Sequence, residues 1–301
     1  MSGILDELKL SYKQGTSLTK LIYINIIVFV IVNLTLVMLK LFKVEMGFNL
    51  IHWLSVPANI GTLITRPWTV FTYMFLHQSF LHILFNMLWL YWFGRIFLQY
   101  LDQKKLLNVY ILGGLSGAAF FILSYNVFPL FSDVKAVSFA LGASASVLAV
   151  VIAISVLKPN YEINLLFFGP VKLKYIAIIT ILIDVLSIAG SNAGGHLAHL
   201  GGALFGYLFV NQYSKQGKDI TRKFGNFMDA LAYLFKSRIK KEKVYVSYKK
   251  PKTDYDYNKE KAKKQEEIDK ILDKIAKSGY KSLTKEEKNL LFNASKDISN
   301  N

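Results

Sequence analysis

Residues 141–157 read LGASASVLAVVIAISVL and residues 197–212 read LAHLGGALFGYLFVNQ. Neither stretch contains Lys, Arg, Asp or Glu, yet one carries Ser144 behind a glycine and the other carries His199. Four more apolar runs lie near 21–42, 81–101, 106–125 and 174–190. A membrane-spanning helix needs about 20 mostly apolar residues. The six runs reach or approach that length, so the sequence predicts an all-α, polytopic membrane protein with a six-helix core over 21–212. The last three runs in chain order, 141–157, 174–190 and 197–212, are short, interrupted by Gly or bounded by Lys. That is expected of helices whose ends meet a cavity rather than lipid.

Charge divides the chain. Of 301 residues 53% are hydrophobic, although 19% are charged. Residues 1–212 hold 13 Lys/Arg against 7 Asp/Glu, while residues 213–301 hold 23 against 13. A polar N-terminal segment (1–20) and a soluble basic tail therefore flank the apolar core. Anionic lipid head groups are the simplest partner for such a tail. No nucleic-acid recognition motif accompanies the charge, and nucleic acid is not an expected partner. The absence of cysteine removes disulfides, thiolate metal sites and a cysteine nucleophile. Residues 1–20 lack the short apolar region of a cleavable signal, so the 21–42 run is expected to remain as a span.

Loop charges set an orientation. With the N-terminus inside, the inner segments carry Lys9, Lys13 and Lys20, then Arg95, Lys104 and Lys105, then Lys158, Lys172 and Lys174. The outer segments carry only Lys43, Arg66 and Lys135. This positive-inside pattern places Ser144 and His199 just beneath the outer surface. It fits a bacterial inner membrane with both termini cytoplasmic. The insertion 43–80, which includes His52, Trp53, Trp68 and Tyr73, is too apolar for a solvated loop and too broken for a span. It is expected partly embedded at the interface, with its Trp and Tyr residues at head-group depth.

The tail divides again. Residues 213–258 combine an amphipathic stretch (Phe224, Phe227, Met228, Leu231, Leu234, Phe235) with a Lys/Tyr-rich linker. Residues 259–301 read as a small helical hairpin. Ile268, Ile271, Leu272 and Ile275 recur at helical spacing, Gly279 ends the first helix, and the 282–287 stretch supplies a capping signal for the second. Such a hairpin is a candidate site for a cytoplasmic partner.

Polar groups within the apolar runs carry the chemistry. Lone serines in membrane helices usually bond back to a backbone carbonyl. Gly142, however, permits a sharp turn that would leave Ser144 in the first turn of a helix. Unpaired N–H groups and the positive end of the dipole favour an oxyanion there. Ionisable groups within spans are costly and default to functional candidates, which marks His199, with His196 as the rival base one turn earlier. Ala198, Gly202 and Gly206 form one small-residue stripe, and Ala145, Ala149 and Ala153 another. Docking the stripes would bring serine and imidazole together, which favours His199. His82 and Asn86 share a helix face at i and i+4 and offer hydrogen bonds to an oxyanion; tying two helices together is the plainer use of such a pair. His77 is expected to anchor the insertion. Asp184 could orient a histidine as a triad acid, but more readily faces a polar crevice or a neighbouring helix.

At these residues the chain resembles the rhomboid family of intramembrane serine proteases. The resemblance covers about residues 50–210. It runs through Phe71-Thr-Tyr-Met-Phe-Leu-His77 into His82-Ile-Leu-Phe-Asn86, continues with Gly142-Ala-Ser144, and ends with Ala198-His199-Leu-Gly-Gly202-Ala-Leu-Phe-Gly206. It implies a six-helix rhomboid-like core and a Ser144–His199 dyad that requires no acid, metal or cofactor. It further implies an oxyanion hole of His82, Asn86 and the Ser144 N–H, and a membrane-embedded first loop over 43–80. The sequence departs from the family pattern in three places. Ala145 follows the serine where glycine is usual, and Leu148 replaces a tyrosine that packs on the histidine. Thr69 and Leu98 replace an arginine and its acidic partner, so no buried charge is left unpaired.

The expected function is therefore cleavage, near the outer surface, of single-span membrane proteins whose helices unwind easily there. A small residue is expected before the cleaved bond. A catalytically silent rhomboid-like protein that binds membrane clients is the alternative. A transporter would require internal repeats or paired broken helices, and the sequence has neither.

Overall fold

The computed structural model describes residues 3–44, 49–165, 169–190, 192–235 and 254–299. The chain forms two compact units, residues 1–237 and 238–301. Among the helices of the first unit, those that frame the site are α1 (Ser17–Leu41), α2 (Phe80–Tyr100), α3 (Gln103–Val127), α4 (Ser144–Leu157), α5 (Leu173–Leu186) and α6 (Ala193–Gln216). Among the described residues, α1, α2 and α3 are long and apolar enough to cross a membrane, and α4 is a shorter apolar helix. The protein has the fold of a polytopic membrane protein.

Side-chain caps start the long helices. Thr16 accepts from the Thr19 N–H, Ser79 from the His82 N–H, and Asp102 from the Lys105 N–H. At its far end α6 stops at Gly217, which takes a left-handed conformation at φ 61°. Helix α4 starts differently. Gly142 turns the chain at φ 128°, and no side chain caps the N-terminus that follows.

The core is a three-helix seam made by missing side chains. A Cβ on Gly202 would lie 2.1 Å from the Ala145 carbonyl oxygen, and one on Gly206 would lie 2.3 Å from that of Ala149. From the opposite side, a Cβ on Gly113 would lie 2.2 Å from Ala149 Cβ. Helix α4 is thus clasped between α3 and α6 with backbones nearly touching, as the two small-residue stripes lead one to expect. Residues 145–154 of α4 are all buried. Helix α5 is the opposite case. Only Leu173, Ala177 and Asp184 are buried on it, while Ile178, Ile179, Leu182 and Ile183 are exposed.

Two short antiparallel ladders leave the all-α class unchanged. Strand β1 (Val56–Pro57) pairs with β2 (Phe139–Ala140), and β3 (Glu162–Leu165) pairs with β4 (Gly169–Lys172). The ends of the bundle can be told apart by contacts. At one end the Ser17 N–H donates to Gln103 at 3.0 Å, the Lys158 ammonium sits 4.6 Å over Tyr100, and Lys104 pairs with Asp229. At the other, the β1–β2 ladder is joined by a bond from Asn126 to the Ala58 carbonyl at 2.8 Å. The first end holds the loops expected to lie inside, and the second those expected outside.

The first loop corrects one expectation. Trp53 and Trp68 are exposed, their rings tilted against each other with centroids 5.3 Å apart. Tyr73, expected with them at head-group depth, is instead buried in the protein. Its hydroxyl donates to the Gly114 carbonyl at 2.5 Å, and its own carbonyl accepts from the Gly142 N–H at 2.9 Å. The phenol finds its polar partner on α3, which makes burial tolerable.

Two boundaries also move. Helix α6 begins at Ala193, ahead of the apolar run, and continues through 213–216, which was expected to belong to the linker. An amphipathic helix follows at Arg222–Phe235, anchored by Asn108, which donates to the Thr221 hydroxyl at 3.3 Å. Residues 236–253, where the Lys/Tyr-rich linker was expected, lie outside the described residues. In the second unit helices Asp254–Ser278 and Lys285–Ser299 form the pair, the first starting ahead of residue 259. Thr284 and Glu287 cap each other's N–H groups, and Lys274 pairs with Glu287 at 2.8 Å.

Candidate active site

Ser144 is the first residue of α4, delivered by the Gly142 turn. The first N–H groups of a helix have no partner within it, and here no side chain supplies one. The backbone N–H groups around Ser144 are therefore directed at whatever occupies the space before the helix. Gly142 also leaves room for His82. A Cβ there would lie 3.0 Å from His82 Nε2 and 3.6 Å from Ser144 Oγ, so imidazole and hydroxyl converge on the same glycine.

Two cavities meet at this point. One, of about 360 Å³, is lined by His82, Asn86, Ser144 and His199 with an apolar wall of Leu81, Phe85, Trp89 and Leu148. The other, of about 440 Å³, again touches His82, Ser144 and His199 but adds Gln78, Asn192 and Gly195. All four residues picked out from the sequence thus face one space. His196, the rival base, lines neither cavity. The Ser144 hydroxyl and the His199 imidazole share that space without a direct hydrogen bond, as resting sites often do before a substrate tightens them.

Helix α2 sets the oxyanion candidates. His82 and Asn86 lie one turn apart on its inward face, and Asn86 is buried. The Asn86 amide spends one N–H on the His82 carbonyl at 3.0 Å, which fixes its rotamer and leaves a second N–H for a ligand. His77 is buried behind His82, ring edge to ring face at 5.0 Å. Leu148, in place of the family's tyrosine, packs as part of the apolar wall.

Asp184 lies on the inward face of α5. It is 3% exposed, and its Oδ1 lies 2.8 Å from His199 Nδ1 and 2.8 Å from His196 Nδ1. Thr180, one turn earlier on α5, reaches the apolar cavity. Ala177, Thr180 and Asp184 share one face at helical spacing, which is the signal in the sequence that turns Asp184 inward.

The family model of the Rhomboid domain matches residues 64–216, and that of a family of unknown function (DUF6576) matches residues 252–297. RHOMBOID-like protein 12, mitochondrial, of Arabidopsis thaliana is 33% identical over 148 residues, covering 46% of this chain and 44% of that protein. Presenilin-associated rhomboid-like protein A, mitochondrial, of Danio rerio is 28% identical over 141 residues, 45% of this chain and 35% of the relative. Rhomboid protease GlpG of Salmonella newport is 30% identical over 90 residues, 24% of this chain and 32% of the relative. The chain thus spans less than half the length of the curated relatives it matches.

Proposed function

Since the chain belongs to the rhomboid family, we propose that it is an intramembrane serine endopeptidase acting on single-span membrane proteins. The observation that carries this reading is the convergence of Ser144, His199, His82 and Asn86 on one space at the N-terminus of α4. His199 takes the Ser144 proton as Oγ attacks the scissile carbonyl. The carbonyl oxygen, now negative, is held by His82, Asn86 and the Ser144 N–H. Proton return from His199 to the amine expels one peptide and leaves an acyl-enzyme. Water then attacks with His199 again as base, and Ser144 is restored.

The two cavities suit the two halves of this reaction. The apolar one accepts unwound membrane-derived chain, and the one lined by Gln78 and Asn192 accepts water. Both lie at the bundle end away from Lys104, Lys105 and Lys158. With the basic segments inside, cleavage occurs near the outer surface of an inner membrane, and the tail meets anionic lipid on the other side.

The test compares purified wild type with Ser144→Ala in liposomes, using a fluorogenic single-span substrate and a fluorophosphonate label. Wild-type cleavage lost at least about 10³-fold in the variant, with labelling lost too, is the expected result. A wild type that neither cleaves a substrate panel nor takes the label would sink the protease reading in favour of client binding.

A further inference from the structure

We infer that Asp184 is the positioning residue of the catalytic base, so that the site works as a Ser144–His199–Asp184 triad with His196 as a second tether on the same carboxylate. The inference rests on the protease reading above, which needs only serine and histidine.

The geometry begins on α5. That helix exposes most of its apolar side chains, and its one acidic residue turns inward to 3% exposure. A carboxylate taken out of water must be paired and hydrogen-bonded to be tolerated. Two imidazoles on α6 pair with one of its oxygens, each placing Nδ1 at 2.8 Å from Oδ1, while Oδ2 has no partner among the described residues. A carboxylate only accepts hydrogen bonds, so both Nδ1 atoms carry their protons. Both rings are thereby held as the Nδ1–H tautomer, with the Nε2 lone pair free.

That tautomer is the one a base needs. His199 turns into the cavities that hold Ser144, whereas His196 lines neither. Asp184 therefore does three things for His199. It fixes the ring's orientation, keeps Nε2 unprotonated and facing the hydroxyl, and stabilises the imidazolium once the serine proton has moved. His196, one turn earlier, approaches the same Oδ1 and adds a second contact from α6 to the carboxylate. Leu148 stands where the family's tyrosine would pack on the histidine, so a hydrogen bond from α5 takes over what packing does elsewhere.

The test uses the full chain carrying Asp184→Asn, beside wild type and Ser144→Ala, with two readouts. Kinetically, Asp184→Asn is expected to lower kcat by about 10²–10⁴-fold with KM within about twofold, since an amide can donate to the ring and stabilise the wrong tautomer. Independently of any substrate, ¹⁵N-histidine NMR is expected to show His199 as Nδ1–H in wild type and in Ser144→Ala, and displaced from it in Asp184→Asn. A merely structural aspartate would lower thermal stability without moving the tautomer. A kcat kept within about threefold of wild type (under ~1 kcal/mol of barrier), or a wild-type His199 found as Nε2–H, overturns the inference. So does one equivalent of zinc per wild-type chain that vanishes in Asp184→Asn, because these three side chains are close enough to hold a metal. Should wild type cleave nothing while the tautomer still depends on Asp184, the tether stands and the protease reading falls.

Discussion

The α3–α4–α6 seam and helix α5 hold the site's groups by opposite means. In the seam, Gly113, Gly202 and Gly206 let backbones meet, and that close approach sets where the helices carrying Ser144 and His199 lie. Helix α5 shows most of its apolar face to the surroundings, and the polar link that holds it to α6 runs through Asp184. The difference shows that nucleophile and base are located by what is absent from side chains, while the carboxylate is located by what it binds.

Gly202→Val would break the comparison most severely. Its first added carbon would lie 2.1 Å from the Ala145 carbonyl, which no rotamer change relieves. The cost should exceed the ~1–3 kcal/mol usual for overpacking, and both activity and folded yield in detergent should collapse. Unchanged thermal stability would show that the seam can part.

Asn86→Ala tests the site without disturbing the seam. Loss of one oxyanion donor typically costs ~3–4 kcal/mol in the transition state. Turnover should fall about 10²–10³-fold while the melting temperature moves little. A variant that loses stability and activity in parallel would show Asn86 to be a helix tie instead.

Ile183→Ala is the smallest test. This side chain is 55% exposed on α5, so unfolding in detergent should change by no more than about 0.5 kcal/mol. A larger loss would mean that α5 depends on packing as the seam does.

The same contrast explains what could be read from sequence. Six apolar runs, the turn at Gly142 and the two small-residue stripes are local patterns, and each has its counterpart in the fold. The start of α6 was missed because Gly194, Gly195 and His196 interrupt the apolar pattern, although the helix runs through them. Ladder β3–β4 went unread because four-residue strands are too short for alternation to register. Tyr73 was misplaced because an amphipathic aromatic in an apolar loop favours the interface, and nothing local reveals an acceptor on Gly114. The spacing of Ala177, Thr180 and Asp184 marks the inward face of α5, but the meeting of Asp184 with His196 and His199 depends on the height of α5 against α6, which no pattern within one helix encodes.

Tyr73 also has a mechanical consequence. Its hydroxyl is fastened to Gly114 on α3 and its carbonyl to the Gly142 amide, two residues ahead of the nucleophile. The residue acts as a tie rod between the first loop, the central helix and the turn that aims Ser144. Two hydrogen bonds from one residue thus connect the first loop both to the central helix and to the backbone that delivers the nucleophile.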